Sequence, residues 1–195
     1  MGNLRSVQKA LEQVGANATI TSDAQQIANA NKVILPGVGA FGDAISELRS
    51  RDLTSAVLDV IDAGKPFLGI CLGLQMLFES SEEGSGDESG LALLAGSVKR
   101  FPVDLGLKVP HMGWNQVTEL RTDCPLLRGI PSDAFFYFVH SYYVSPRSDD
   151  AVWLECEYGT KFCAAVWKDN LFATQFHPEK SQQHGLTLLK NFAAL

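Results

Sequence analysis

The sequence predicts an α/β fold: a doubly wound, mainly parallel sheet extended by antiparallel strands. Helix and strand signals alternate through the first half, which is the signature of parallel strands joined by crossover helices. Beyond Gly90 the pattern becomes β-rich, with short polar turns between apolar runs, as in antiparallel extensions. A last helical segment carries apolar residues at helical spacing, so it packs one face against the sheet.

In order, Leu4, Val7, Leu11 and Val14 mark an amphipathic helix over 4–14 that stops at Gly15. A strand over 18–21, a helix over 24–29 and a strand over 32–35 follow. Helices span 42–63, and the apolar run 66–70 is the next strand. The β-rich half holds strands over 134–144, 152–158, 162–167 and 171–176. Tyr158-Gly159-Thr160 and Lys168-Asp169-Asn170 form its hairpin turns. The closing helix covers 183–194, with Leu186, Leu189, Phe192 and Ala193 on one face. The stretch 80–90 is rich in Gly, Ser and like charges, and reads as a mobile, solvated loop.

The chain has 195 residues, 46% of them hydrophobic, enough to bury a full core as one domain over 1–195. Cys71, Cys124, Cys156 and Cys163 are irregularly spaced and lack paired His spacing, so neither a disulfide framework, nor a zinc site, nor any cofactor is called for. A net charge of −6 without a basic stripe argues against nucleic acid. No apolar run reaches the ~18 residues of a membrane span, and the expectation is a cytoplasmic protein that binds no membrane. The N-terminal match to a myristoylation pattern, Met1 to Ser6, runs into the first helix and is read as coincidence, and the sequon at Asn17 as silent.

Cys71 lies in Gly69-Ile70-Cys71-Leu72-Gly73, where a strand hands over to a helix. This is the cysteine version of a nucleophile elbow, whose glycines allow a sharp turn that lifts the nucleophile clear of the backbone. Without those glycines the residue would read as core packing. His177-Pro178-Glu179 follows strand 171–176 and supplies a base and an orienting carboxylate; in extended backbone the two side chains point the same way. The N–H of Leu72 and an N–H from Val38 or Gly39 in the loop Pro36-Gly37-Val38-Gly39 are the oxyanion donors expected for a developing negative charge.

These segments resemble the class I, or triad-type, glutamine amidotransferases. Within that family, Pro36 to Phe41, His111-Met112-Gly113-Trp114-Asn115 and Tyr137 to Tyr143 resemble the glutaminase subunits of imidazole glycerol phosphate synthases, enzymes of histidine biosynthesis. The resemblance implies a flavodoxin-like sheet, with Cys71, His177 and Glu179 hydrolysing glutamine through a glutamyl thioester. It implies glutamine contacts from Gln75, Glu83, Ser141 and Tyr142 and from the backbone of Gly37 and Gly39. It also implies a (β/α)8-barrel cyclase as partner, facing His111, Met112, Trp114, Asn115, Tyr137 and Lys180. Family members usually begin with an apolar strand and an Asp-Tyr-Gly turn ahead of Met-Gly-Asn-Leu-Arg-Ser. The first strand is thus expected to be missing here, with a natural start upstream and unpaired neighbours in the sheet.

Two other readings compete. A cysteine hydrolase of the α/β-hydrolase type places its acid before the histidine, whereas Glu179 follows His177. A non-catalytic relative would keep the motifs and only bind a barrel partner.

Overall fold

The computed structural model describes residues 4–84, 88–102 and 106–195. The chain runs α1 (Leu4–Gln13), α2 (Ala24–Asn29), β1 (Val33–Gly37), α3 (Phe41–Ser50), α4 (Leu53–Asp62), β2 (Phe67–Cys71) and the single turn α5 (Leu72–Gln75). It continues with β3 (Ser80–Ser81), β4 (Gly96–Arg100), β5 (His111–Glu119), β6 (Phe135–His140), β7 (Tyr142–Pro146), β8 (Val152–Glu157), β9 (Lys161–Lys168), β10 (Leu171–Thr174) and α6 (Gln182–Ala194).

One path through the sheet orders the strands β1-β2-β10-β9-β7-β4-β3, and β8 pairs β9 and leads on to β5 and β6. β1, β2 and β10 are mutually parallel, while β9, β7 and β8 add the antiparallel extension. β2 is buried along its whole length, which its unbroken apolar run Phe67-Leu68-Gly69-Ile70 requires of a central parallel strand. Its alternate side chains feed two cores. Leu68 and Ile70 pack with Val7, Leu11, Leu189 and Phe192 of α1 and α6. Phe67 packs on the other face with Phe41, Ile45 and Val57 of α3 and α4. Helices cover both faces, as the doubly wound pattern predicts.

Both predicted hairpin turns stand where the sequence put them, β8 to β9 through Gly159 and β9 to β10 through Asp169. The structure corrects three other expectations. Residues 18–21 form no strand, because among the described residues β1 pairs only with β2 and offers them no ladder. A groove of about 1240 Å³ separates them from β1, lined by Val7, Leu11, Ile20, Ile27 and Ile34. The groove runs along the edge of β1 that no described strand pairs.

The run 134–144 breaks at Ser141 into two strands with different partners: β6 joins β5, whereas β7 joins β4 and β9. Finally, the ends of the 80–90 stretch are tied down. Glu79 pairs with Arg147, a carboxylate oxygen of Glu82 accepts from the Arg100 N–H, and Ser80 bridges to Ser89. Residues 85–87 of that stretch, and Met1 to Asn3 of the myristoylation match, lie outside the described residues.

Candidate active site

Parallel pairing brings the expected catalytic pieces to one end of the sheet. Gly37 is the register partner of Cys71, and Thr174 pairs with Ile70, so the carboxyl ends of β1, β2 and β10 emerge side by side. Loops leaving the carboxyl ends of parallel strands are where such sheets build sites.

Cys71 takes φ 56° and ψ −108°, a strained conformation for a side-chain-bearing residue. Two glycines make that turn possible by close approach. A Cβ on Gly73 would lie 1.9 Å from the Leu35 carbonyl oxygen, and one on Gly69 would lie 2.8 Å from that of Gly73. The helix behind the nucleophile is shorter than the sequence suggests. One turn ends at Gln75, so a helix dipole contributes little and side chains set the electrostatics.

His177 Nδ1 lies 2.8 Å from Glu179 Oε1, and both side chains are sealed from solvent. The extended arrangement expected for this pair does not occur. His177 instead precedes a 3₁₀ turn, Pro178–Lys180, with proline at the first position where its missing N–H costs nothing. The turn is clamped to β6: His177 N–H donates to the Tyr137 carbonyl, Tyr137 N–H donates to Ser181 Oγ, and Ser181 Oγ–H donates to the His177 carbonyl. Burial by itself would lower the His177 pKa. Hydrogen bonds and opposite charge from Cys71 and Glu179 outweigh burial and raise it to about 9. The His177 ring therefore sits between thiol and carboxylate in hydrogen-bonded series.

The sulfur has further neighbours. Gln175 Nε2 points at it from 3.7 Å, and Sγ faces the Val139 carbonyl at 4.0 Å. Gln175 follows β10 directly and is fully buried. Sequence reading passed over it, although its place two residues before the histidine, in step with Cys71 on the next strand, was a usable signal. The other three cysteines are buried; burial pushes the Cys124 and Cys156 thiols up to about 12, and that of Cys163 upward as well.

Of the expected oxyanion donors, Leu72 directly follows the nucleophile and is buried, whereas Val38 and Gly39 are exposed just past β1, with Gly39 at φ +102°. Gly37 is packed so closely on the elbow that its Cβ would meet that of Leu72 at 2.8 Å. Ser141 and Tyr142 lie half-buried at the β6–β7 break. Gln75 is buried, its Nε2 donating to the Tyr142 carbonyl and to Gln175 Oε1. Glu83 Oε2 accepts the N–H of Phe41 at the start of α3, 2.7 Å away, which ties its carboxylate to the α3 end of the Pro36–Phe41 loop.

On the β5–β6 pair the expected partner-facing residues divide by strand alternation. Met112 and Trp114 are 62% and 45% exposed, opposite Val139 and Tyr137, and Phe135 beside them is 48% exposed. Lys180 Nζ sits 5.8 Å above the Tyr137 ring at the same edge. The expectation that His111 faces a partner does not hold. It points inward, 3% exposed, with its ring stacked on Tyr158 and Phe138. The side chain of Asn115 also turns inward, donating to the Glu157 carbonyl and toward His111.

A cysteine in a strained elbow, an imidazole bonded to it and a carboxylate behind the imidazole form a unit built for acyl transfer. Residues 1–195 match the class I glutamine amidotransferase family. The chain belongs to that family. It is 60% identical over 99% of its length to the imidazole glycerol phosphate synthase subunit HisH of Rhodopirellula baltica, covering 93% of that protein. It is 54% identical over 100% of its length to the protein of the same name from Moorella thermoacetica, covering 91% of it. Among solved structures, a glutamine amidotransferase crystal structure superposes with a TM-score of 0.75 at 18% identity, covering 100% of this chain and 95% of that one. The PurLQS structure from Thermotoga maritima gives a TM-score of 0.73 at 18% identity, covering 98% and 92%. The class I amidotransferase fold thus accounts for both the parallel half and its antiparallel extension.

Proposed function

We propose that this chain is the glutaminase subunit of an imidazole glycerol phosphate synthase, one glutamine amidotransferase domain acting in the cytoplasm. The observation that carries the reading is the hydrogen-bonded series of Cys71, His177 and Glu179 beside the Gly37 loop. The full-length likeness to proteins named HisH supports the pathway.

The Cys71 thiolate attacks the side-chain carbonyl carbon of glutamine, and the carbonyl oxygen becomes an oxyanion held by backbone N–H groups of Leu72 and of Val38 or Gly39. As the tetrahedral intermediate collapses, the C–N bond breaks. Protonated His177 gives its proton to the departing nitrogen, so ammonia leaves a glutamyl thioester. Neutral His177 then takes a proton from water, whose oxygen attacks the thioester, and glutamate departs as the thiolate reforms. Glu179 holds the ring and stabilises its charged form throughout. The family resemblance assigns the contacts with glutamine to Gln75, Glu83, Ser141 and Tyr142 and to the backbone of Gly37 and Gly39. A carboxylate suits its ammonium, while hydroxyl and backbone donors suit its carboxylate.

Ammonia that reaches water is protonated and stops being a nucleophile, so its release is useful only under the cover of a partner. The exposed apolar row Met112, Trp114 and Phe135, edged by Tyr137 and Lys180, has the aromatic character of an interface centre. A (β/α)8-barrel cyclase is the partner that fits the reading. Among the described residues no helix is long and apolar enough to cross a membrane.

Incubating the purified chain with glutamine, with and without the cyclase and its ribonucleotide ligand, tests the proposal. Glutamate is expected to form slowly alone and much faster with the liganded partner. Stable partner binding without turnover would leave only a binding role, and ester hydrolysis without glutamine turnover would indicate a different cysteine hydrolase.

A further inference from the structure

His111 and His140 form a buried pair that the chemistry above leaves unused. His111 Nδ1 and His140 Nε2 are 3.0 Å apart inside an aromatic cage of Phe101, Phe138, Tyr158 and Phe162. Two imidazoles there need a reason, because buried polar rings cost free energy unless each nitrogen is satisfied.

The bonds around the pair leave one self-consistent assignment of protons. His140 Nδ1 is 2.8 Å from the Tyr142 carbonyl, which only accepts, so Nδ1 carries the hydrogen and Nε2 offers a lone pair. His111 must then donate from Nδ1, which turns its own Nε2 into the acceptor for Asn115 Nδ2 at 3.3 Å. The Tyr142 carbonyl also accepts from Gln75 Nε2 at 3.0 Å. Gln75 Nε2 donates its second hydrogen to Gln175 Oε1 at 3.2 Å, which fixes the orientation of the Gln175 amide and leaves its Nε2 aimed at Cys71 Sγ. Every donor in the series meets an acceptor.

We infer that His111, His140, Gln75 and Gln175 are positioning residues, a buried hydrogen-bonded relay from the β5–β6 pair to the Cys71 sulfur. Its outer end, Asn115, lies on β5 between the outward-facing Trp114 and Gln116, so a shift of this strand pair reaches the sulfur through bonds of fixed direction. At the inner end an amide N–H supports the negative sulfur beside His177, leaving the imidazole free to move protons. The relay works only with both imidazoles neutral. Burial favours that state, lowering His111 to about 4; burial, with lesser repulsion from His111 and His177, lowers His140 to about 3 despite its bond to Tyr142. The groups that face the sulfur itself are His177, backed by Glu179, the Gln175 amide and the Val139 carbonyl.

The inference rests on the glutaminase reading for its purpose, but its test has readouts that do not depend on turnover. Nitrogen-15 spectra of the imidazoles in the intact chain at pH 7 are expected to show His111 and His140 neutral, each with its proton on Nδ1. A proton on Nε2 of either ring, or a charged ring at that pH, would overturn the relay, and this measurement needs no variant to fold.

The second arm measures the iodoacetamide rate at Cys71, mapped by peptide mass, with kcat and KM in the liganded complex. Gln175→Met keeps the shape but removes the donor, and is expected to slow alkylation and kcat about ten- to a hundredfold while KM moves less than about twofold. His140→Phe is expected to slow both about three- to tenfold. The double variant is expected to match Gln175→Met alone to within about twofold. Effects that multiply in the double variant, or an unchanged alkylation rate in folded His140→Phe, would sink the coupling. An unsubstituted complex that turns over no glutamine would sink the functional reading instead, and leave the spectra to judge the relay.

Discussion

Gly37 stands opposite Cys71 in the β1–β2 register, and a Cβ placed on it would come within 2.8 Å of the Leu72 Cβ and 3.1 Å of the Gly73 nitrogen. The Pro36–Gly39 loop therefore touches the Cys71 elbow with no room for a methyl group. Gly37→Ala is expected to cost about 1–3 kcal/mol of stability through overpacking and to lower glutamine turnover at least about tenfold by displacing the donors. Thermal melts with glutamate release check both; an unaltered kcat would mean the loop does not hold the oxyanion.

Cys71→Ala is expected to abolish glutamine-dependent synthesis in the complex while synthesis from added ammonium continues. Loss of both would show that assembly failed instead of chemistry. The left-handed φ at this position gives a second readout. Cys71→Gly, which relieves that conformation, is expected to be about 1–2 kcal/mol more stable than Cys71→Ala by denaturant unfolding.

The raised His177 pKa fixes a pH window. Its folded value, about 9, lies above the ordinary value of 6.5, so the folded state binds the proton more tightly. The stabilisation is complete below pH 6.5 and is lost as the pH climbs through 9. Proton delivery to the leaving nitrogen should fail over the same limb. Glu179→Gln removes one of the charges that raise the pKa; the alkaline limb of kcat is expected to move to lower pH and kcat to fall about 10²–10⁴-fold. An alkaline limb that stays in place would exclude His177 as the proton donor.

The His111–His140 pair acts at the opposite end of the scale. Both folded pKa values lie below 6.5, so the unfolded chain binds more protons as the medium turns acid. Stability is expected to fall as pH drops from 6.5 through 4 and to level off below about 3. Urea unfolding at fixed pH values measures this, and His111→Phe should flatten the slope.

Trp114 is exposed on the outward face of β5, next to Met112 and opposite Tyr137. Trp114→Ala is expected to leave the melting temperature of the isolated chain nearly unchanged. Its affinity for the cyclase should weaken about thirtyfold or more, the loss of an interface anchor worth about 2 kcal/mol. Titration calorimetry with unchanged affinity would move the docking face elsewhere.

Much of this architecture was legible in the chain because its signals are local. Alternating helix and strand periods gave the parallel half. Gly159 and Asp169 marked hairpin turns that the backbone adopts, and Gly69 and Gly73 announced a turn too tight for side chains. Gln175 escaped notice because its one local signal, a place two residues before the histidine, does not name its partner, and the sulfur it faces lies 104 residues away. The inward turn of His111 escaped for a related reason: β-strand alternation says which residues share a face, but only the packed partner says which face is buried.

The sequence by itself determined the candidate nucleophile, its candidate base and the order of the motifs, since elbow glycines and a His-Pro-Glu run are short-range chemical patterns. Tertiary structure decided what surrounds the sulfur and where the chain exposes its apolar row. Strand register and cross-sheet hydrogen bonds, which join residues scores of positions apart, settle those matters, and no local pattern encodes them.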